Sequence, residues 1–172
     1  NKMIITRTPF RISFVGGGSD LPAFFKEYGG AVLSSSIDKY MYISSHDFFE
    51  KGKIRTKYSV TETVNSVDDI EHPILRTIMR KLNVSRGLEI SSIADVPAGT
   101  GMGSSSSFTV GTLHNMMARE GRIDQVNKAW LGESACEIEI NDLNEPIGKQ
   151  DQYAAAFGGL NIFRFNRDNT VD

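Results

Sequence analysis

The chain has 172 residues, with 19 Lys and Arg against 21 Asp and Glu, so its formal net charge is −2. Hydrophobic residues make up 40% and charged residues 23%, which is typical of one folded globular domain and not of a disordered chain. The near-neutral charge argues against general nucleic-acid binding, and no apolar run reaches the roughly 18 residues of a membrane span. The single cysteine, Cys136, cannot form an internal disulfide, so we expect a reducing, cytoplasmic environment.

The first third of the chain predicts mainly strands. Alternating or continuous apolar residues bounded by polar segments predict five of them, at 3–7, 11–15, 31–37, 40–46 and 53–60. The first two lie on either side of Pro9, which we expect to separate them.

One short helix is predicted after the glycine cluster at 16–18. Ser19 or Asp20 is a candidate N-cap, since short polar side chains accept hydrogen bonds from the first turn. Pro22 suits the first turn and Gly29 suits the end of the helix.

From His72 onward, helical spacing of apolar residues predominates. Four helices are predicted, at 72–82, 105–120, 124–141 and 150–157. Two further strands are predicted at 88–94 and 160–165. Strands and helices in this mixed order, with no linker long enough to divide the chain, predict a single α+β domain over 1–172.

A second glycine cluster, PAGTGMGSSSS, occupies 97–107. A flexible linker is one interpretation of this composition. However, the segment joins a predicted strand to a predicted helix, where exposed backbone N–H groups and the helix N-terminus together bind anions. We therefore predict a phosphate-binding loop. It is not a Walker loop, because no Lys lies between 82 and 127, and Ser104 interrupts the dinucleotide pattern G-x-G-x-x-G.

The string PAGTGMGSSS at 97–106 resembles the central motif of the GHMP kinases, P-x-G-x-G-L-G-S-S-A. This superfamily includes galactokinase, homoserine kinase and mevalonate kinase. The resemblance implies a loop that wraps the phosphates of ATP, with Ser105 also contacting Mg²⁺. The ATP-binding residues implied in this way are Pro97, Gly99, Gly101, Met102, Gly103, Ser104, Ser105 and Ser106.

The string PFRISFVGGGSD at 9–20 is similar to the amino-terminal motif of GHMP sugar kinases, P-G-R-V-N-L-I-G-E-H-T-D. The resemblance implies that Asp20 accepts hydrogen bonds from sugar hydroxyls and that Arg11 lies near the catalytic carboxylate. A helix N-cap for Asp20 and a surface ion pair for Arg11 are the alternatives. The substrate-binding residues implied are Arg11, Gly17, Gly18, Ser19, Asp20 and Asp151.

Gly17 and Gly18 stand where galactokinases carry Glu and His. Their lack of side chains opens space and removes a negative charge, which suits a larger or anionic acceptor. The longer string at 7–25 resembles the subgroup of D-glycero-D-manno-heptose 7-phosphate kinases and related fucose kinases, which phosphorylate the anomeric hydroxyl. We expect transfer of the γ-phosphate of ATP to heptose 7-phosphate. Alternatives are a fucokinase- or galactokinase-like enzyme, a mevalonate- or homoserine-type kinase, and an ATP-binding domain without catalysis.

The string GKQDQYAAAFGG at 148–159 looks like the base-bearing stretch of the family. The resemblance implies that Asp151 is the general base, although Asp also favours helix N-termini. Lys149 is implied to contact substrate phosphate or the transferring group. A solvated surface lysine is the alternative.

The family also implies a glutamate ligand for Mg²⁺ about a dozen residues before the base, and Glu137 and Glu139 are the candidates. In a helix, Glu139 shares a face with Leu131 and Ala135, whereas Glu137 lies on a charged face. A carboxylate on an apolar face needs a partner. We therefore favour Glu139 as the metal ligand.

The GHMP resemblance further implies a two-layer sandwich similar to domain 2 of ribosomal protein S5. ATP and Mg²⁺ are the implied cofactors, and a sugar phosphate is the implied partner, with no nucleic acid or membrane. GHMP kinases continue into a carboxyl-terminal domain that closes the cleft. Residues 1–172 do not include it, so we expect them to be the ATP-binding half of a two-domain kinase.

Overall fold

A computed structural model describes residues 3–172 and contains six strands and five α-helices in that range. The strands are β1 Ile4–Val15, β2 Gly30–Asp47, β3 Ile54–Lys57, β4 Thr61–Val64, β5 Leu88–Ala94 and β6 Leu160–Phe165. The helices are α1 Pro22–Tyr28, α2 Pro73–Leu82, α3 Ser104–Arg119, α4 Lys128–Cys136 and α5 Gln150–Phe157. Short 3₁₀ turns lie at Val67–Asp69 and Ile123–Gln125, and a π-helical turn at Glu137–Asp142 follows α4 directly.

The long strand β2 organises the sheet. β1 pairs with one edge of β2, and two strands share the other edge: β6 pairs with Gly30–Ser35 and β5 pairs with Met41–Asp47. The sheet continues from β5 to β3 and β4, with β3 and β5 parallel and the other pairs antiparallel. The predicted α+β class is confirmed.

The helices cover one face of this sheet, which makes a two-layer structure. The main core lies between the sheet and helices α2, α3 and α4, and a smaller cluster packs α1 and α5 against β6. Several large apolar side chains on the opposite face are exposed, among them Ile5, Phe14, Ile93 and Ile162. Within residues 3–172, no helix combines the length and the apolar character needed to cross a membrane.

Some predicted strands merge or divide in the structure. The segments 3–7 and 11–15 form one strand, because Pro9 lies at a register shift on the edge strand β1, where its missing N–H is tolerated. The segments 31–37 and 40–46 likewise form the single strand β2. Within the predicted strand at 53–60, only Ile54–Lys57 form a strand, β3, and the turn after it leads into β4 at Thr61–Val64, which was not predicted.

Helix α1 begins and ends where Pro22 and Gly29 predict, but its predicted cap is wrong. The N-cap residue is Leu21, which makes no side-chain capping bond. The Ser19 hydroxyl instead donates to the carbonyl of Gly16 at 2.6 Å. The Asp20 carboxylate is engaged elsewhere, as described below.

Helix α3 is held unusually close to the sheet. A β-carbon at Gly111 would lie 2.9 Å from Oγ1 of Thr8, so only glycine allows this approach. The buried amide of Asn115 donates to the carbonyls of Ile4 at 3.2 Å and Ile43 at 2.9 Å. Buried hydrogen bonds of this kind are costly to lose, so they fix the C-terminal half of α3 relative to the sheet.

Candidate active site

The loop between β5 and α3 has a backbone shape that depends on its glycines. Gly99, Gly101 and Gly103 adopt φ angles of 79°, 73° and 74°, in the left-handed region that other residues enter only at a cost. A β-carbon at Gly99 or Gly101 would meet nothing within 4 Å, so this backbone lies open. Gly103 is the N-cap residue of α3, whose 16 residues direct a helix N-terminus at the same space. The arrangement is suited to binding an anion.

The serines that follow the loop face different partners. The Ser105 hydroxyl donates to Oε2 of Glu139 at 2.9 Å. Ser106 is only 1% exposed, and the Ser107 hydroxyl donates to the carbonyl of Pro9 at 2.9 Å. Ser105 is therefore the loop serine whose hydroxyl donates a hydrogen bond to a carboxylate.

Glu139 reaches Ser105 from the π-helical turn after α4. π-Helical turns insert an extra residue into a helix and often occur at functional sites. Glu139 is 1% exposed, whereas the side chain of Glu137 is 52% exposed and pairs with Lys81 at 2.9 Å. The prediction that Glu139 is on the inward face is confirmed, while its role as a metal ligand stays a prediction.

The environment of Glu139 fits a cation. Burial raises the pKa of its carboxyl, and hydrogen bonds from serine hydroxyls oppose that rise only in part. Among the described residues, Oε1 of Glu139 has no hydrogen-bond partner. Residues 3–172 contain no cluster of three or more His, Cys, Asp or Glu able to hold a metal ion. Mg²⁺ suits such a site, because it commonly takes one or two protein ligands and completes its shell with substrate phosphates and water.

Asp151 lies in the first turn of α5, and Arg11 holds its carboxylate beside the loop. The guanidinium donates to Oδ1 of Asp151 from Nε at 2.8 Å and from Nη2 at 2.5 Å. Its Nη1 donates to the carbonyl of Gly101 at 2.9 Å, and the Arg11 backbone N–H donates to the carbonyl of Met102 at 3.1 Å. A β-carbon at Gly103 would lie 3.6 Å from Cβ of Asp151. The structure thus brings the predicted base, the predicted arginine and the predicted phosphate loop together.

A groove of 530 Å³ opens next to this contact. Its lining includes Arg11, Ser13, Gly17, Gly101, Met102 and Gln150. The groove therefore joins the phosphate loop to the first glycine cluster, where the acceptor is predicted to bind. A larger cavity of 700 Å³ is lined by Lys149 and Tyr153 but not by Asp151 or the loop, so we do not assign the reaction to it.

Asp20 is buried and engaged by the protein itself. It is 2% exposed, and its Oδ1 accepts from the backbone N–H of Gly18 at 3.2 Å and from Nε2 of Gln150 at 3.1 Å. Its Oδ2 accepts from the backbone N–H of Gln150 at 3.1 Å. Gly17 lines the groove, and a β-carbon at Gly18 would meet nothing within 4 Å. The predicted open space is present, whereas the sugar-binding role of Asp20 stays a prediction.

Lys149 does not join the group around Asp151. Its ammonium donates to both the backbone carbonyl and Oδ1 of Asn169, each at 2.8 Å, and lies 5.3 Å from the ring centre of Phe25. Burial lowers the pKa of Lys149. Its predicted contact with phosphate therefore stays a prediction, and its ammonium points to a different partner in the structure.

Two residues of the site were missed by sequence reasoning. Gln150 lines the groove, and its side-chain amide donates a hydrogen bond to the carboxylate of Asp20. Gly148 has no room for a side chain, since a β-carbon there would lie 2.0 Å from Oδ2 of Asp20. Both belong to the string at 148–159, but only their contacts with a residue far away in the sequence reveal what they do.

Comparison with known proteins agrees with this geometry. The family model described as the GHMP kinases N terminal domain matches residues 70–159. The D-glycero-alpha-D-manno-heptose 7-phosphate kinase of Campylobacter jejuni is 30% identical, over 99% of this chain and 53% of that protein. The galactokinase of Pyrococcus furiosus is 27% identical, over 90% of this chain and 44% of that protein.

Solved structures give the same result. The crystal structure of a D-glycero-D-manno-heptose 1-phosphate kinase from Bacteroides thetaiotaomicron superposes with a TM-score of 0.88 at 28% identity, covering 99% of this chain and 58% of that one. The chain spans about half the length of the curated relatives it matches. Because the family model matches more than half of the chain, the chain belongs to the GHMP kinases, and its fold is that of their N-terminal domain.

Proposed function

We propose that residues 1–172 are the ATP-binding domain of a sugar kinase that transfers the γ-phosphate of ATP to a heptose phosphate. The observation that carries this proposal is the Asp151 carboxylate, which Arg11 holds beside the phosphate loop and next to the groove. Phosphoryl transfer requires little covalent chemistry from a protein. It requires a positioned nucleotide, charge neutralisation and a group that orients the attacking hydroxyl, and each has a candidate here.

The proposed roles, which the family resemblance implies, are compatible with the geometry. Backbone N–H groups of the loop and the N-terminus of α3 would bind the phosphates of ATP. Ser105 and Glu139 would hold Mg²⁺, which neutralises phosphate charge when it is bound. Both bonds from Arg11 end on Oδ1 of Asp151, so Oδ2 is the oxygen available to accept the proton of the acceptor hydroxyl.

The acceptor class is supported by the glycine turn and by the relatives. Gly17 and Gly18 place no side chain in the space where an acceptor would lie, which accommodates a bulky, charged sugar. Two of the relatives are named as kinases of D-glycero-D-manno-heptose phosphates, one of the 7-phosphate and the other of the 1-phosphate. We propose the anomeric hydroxyl of heptose 7-phosphate as the site of transfer, with a second domain completing the acceptor pocket.

The test is a kinase assay of the longest natural polypeptide that contains residues 1–172. Heptose 7-phosphate, fucose, galactose and mevalonate are offered with ATP, with and without Mg²⁺, and ³¹P NMR identifies the phosphorylated position. We expect heptose 7-phosphate to react at its anomeric carbon. Turnover of galactose or fucose alone would replace the proposed acceptor with an unphosphorylated sugar, and turnover of mevalonate alone would contradict a sugar kinase.

The same assay examines the base. Asp151→Asn is expected to lower kcat by roughly 10² to 10⁴ while ATP affinity is kept, since a positioned base contributes about that factor. Asp38→Asn, at an exposed position on β2, is the matched control and should retain full activity. Normal turnover in the Asp151 variant would remove the base assignment.

A further inference from the structure

We infer that Asp20 is a positioning residue, which anchors the first turn of α5 and thereby fixes the orientation of Asp151. The inference rests on the proposed function, in which Asp151 is the base. It assigns Asp20 a role different from direct contact with a sugar. The two residues lie at opposite ends of the domain's sequence, and Gln150 connects them.

The anchor consists of three hydrogen bonds to one carboxylate. Oδ2 of Asp20 accepts from the backbone N–H of Gln150, the first residue of α5, at 3.1 Å. Oδ1 accepts from the Gln150 side chain at 3.1 Å and from the Gly18 N–H at 3.2 Å. The N-cap residue of α5, Lys149, makes no side-chain capping bond. Asp20 therefore supplies from a distance the acceptor that the start of this helix lacks locally.

The fit around the anchor is tight. Asp20 is 2% exposed, so its carboxylate is covered and its oxygens are directed at protein donors. A β-carbon at Gly148 would lie 2.0 Å from Oδ2 and 2.4 Å from Cγ of Asp20, so the backbone before α5 closes directly over the carboxylate. This packing leaves little room for a substrate hydroxyl to reach Asp20.

Asp151 is then held from two sides. Its backbone follows directly after Gln150, which Asp20 holds, and its carboxylate is held by Arg11. Because displacement of a reacting group by about 1 Å can lower a rate about 10²-fold, loss of either anchor is expected to affect turnover. Asp20 acts on the rate through Gln150, without contacting the reacting atoms.

The test compares three variants of the longest polypeptide that contains the domain. Asp20→Ala removes all three acceptor bonds and should lower kcat roughly 10- to 100-fold, with the KM values for ATP and acceptor within about threefold of wild type. Asp20→Asn keeps an oxygen for the Gln150 N–H and should recover most of the lost kcat. Asn127→Ala removes a comparable capping bond, from the Trp130 N–H at 2.8 Å, and should leave kcat within about twofold.

Three outcomes would overturn the inference. A large rise in the KM for the acceptor with kcat preserved would assign Asp20 to substrate contact. If the folded fraction of Asp20→Ala has the same kcat and KM values as wild type, Asp20 contributes to stability only and does not position Asp151. If Asp20→Asn has a kcat as low as that of Asp20→Ala, the negative charge of Asp20 sustains kcat, and its acceptance of the Gln150 N–H does not.

Two further measurements separate this inference from the proposed function. Amide hydrogen exchange at Gln150 should increase in Asp20→Ala, whether or not any sugar is phosphorylated, and unchanged exchange would refute the anchor. In an Asp151→Asn background, Asp20→Ala should lower kcat no further, because positioning matters only if the base is present. Absence of all kinase activity in wild type would refute the proposed function, while the exchange result would still decide whether the anchor exists.

Discussion

Glu139 carries an ionisable carboxyl into a part of the protein with almost no access to water, since it is 1% exposed. Its Oε2 accepts from Ser105 at 2.9 Å, and its Oε1 has no partner among the described residues. Replacing it by Gln removes the buried charge while keeping the shape of the side chain. We therefore expect Glu139→Gln to stabilise the metal-free protein and to impair its Mg²⁺-dependent activity.

The magnitude follows from the cost of an unpartnered buried group, about 1–3 kcal/mol. The new amide hydrogens have nearby acceptors, because the hydroxyls of Ser106 and Thr109 lie next to the carboxylate. For a domain of this size, each kcal/mol changes Tm by roughly 2–4 °C. Glu139→Gln should thus raise Tm by roughly 2–12 °C at pH values above the folded-state pKa of Glu139, without Mg²⁺ or nucleotide.

The pH dependence has a definite sign. Burial raises the pKa of Glu139 in the folded state above its value in the unfolded state. Between these two pKa values the folded protein binds more protons, so the contribution of Glu139 to stability is present at low pH and is lost as pH rises through the folded pKa. The stability advantage of the Gln variant should accordingly grow over the same interval and remain constant above it.

The assay is thermal or urea unfolding of wild type and variant over a series of pH values from about pH 4 to pH 9. Glu137→Gln, two residues away but with its side chain 52% exposed, is the matched control and should change stability by less than about 0.5 kcal/mol at every pH. Adding Mg²⁺ with ATP should stabilise wild type more than Glu139→Gln. A Gln variant less stable than wild type at all pH values, or equal stabilisation of both proteins by Mg²⁺ and ATP, would refute the reasoning.

Two further substitutions examine the loop and the second cavity. Gly103→Ala introduces a β-carbon at a residue whose φ is 74°, and this carbon would lie 3.5 Å from Cγ of Arg11. We therefore expect the variant to lose about 1–2 kcal/mol of stability and to bind ATP more weakly. Urea unfolding measures the stability, and nucleotide titration measures the affinity for ATP. The opposite result, normal affinity for ATP, would contradict a phosphate loop shaped by glycine. Lys149→Met removes both bonds to Asn169 and should cost about 1–3 kcal/mol in stability while kcat stays within about twofold of wild type. A rise in the KM for a phosphorylated acceptor would instead support the predicted phosphate contact.

Sequence reasoning succeeded where neighbouring residues alone decide the conformation. Strands β5 and β6 have the predicted bounds, because each is a short apolar run between polar or glycine-containing segments. The loop between β5 and α3 leaves its backbone open at Gly99 and Gly101, in agreement with the predicted exposure of its N–H groups. The inward position of Glu139 follows from helical periodicity, even though a π-helical turn carries it.

The remaining features depend on contacts between distant segments. Asp is a residue type that often caps the helix next to it in sequence, but the Asp20 carboxylate accepts hydrogen bonds from Gln150 at the start of α5 and does not cap α1. Lys149 lies only two residues before Asp151 in the sequence, yet its ammonium donates a hydrogen bond to Asn169 and does not contact Asp151. Pro9 does not end β1, since a register shift on an edge strand accommodates it. No local pattern contains these partners, so the sequence cannot predict them.

The shared edge of β2 has a consequence for the order in which the domain assembles. One half of that edge pairs with β5, whereas the other half pairs with β6, which is separated from β2 by a much longer stretch of sequence. Closing a longer segment costs more chain entropy and slows folding, so the β6 pairing forms late. Helix α5, which carries Asp151, directly precedes β6 in the chain but packs mainly against α4 and α3. We therefore expect the strand that leads into the phosphate loop to join β2 before the strand that follows the helix of Asp151.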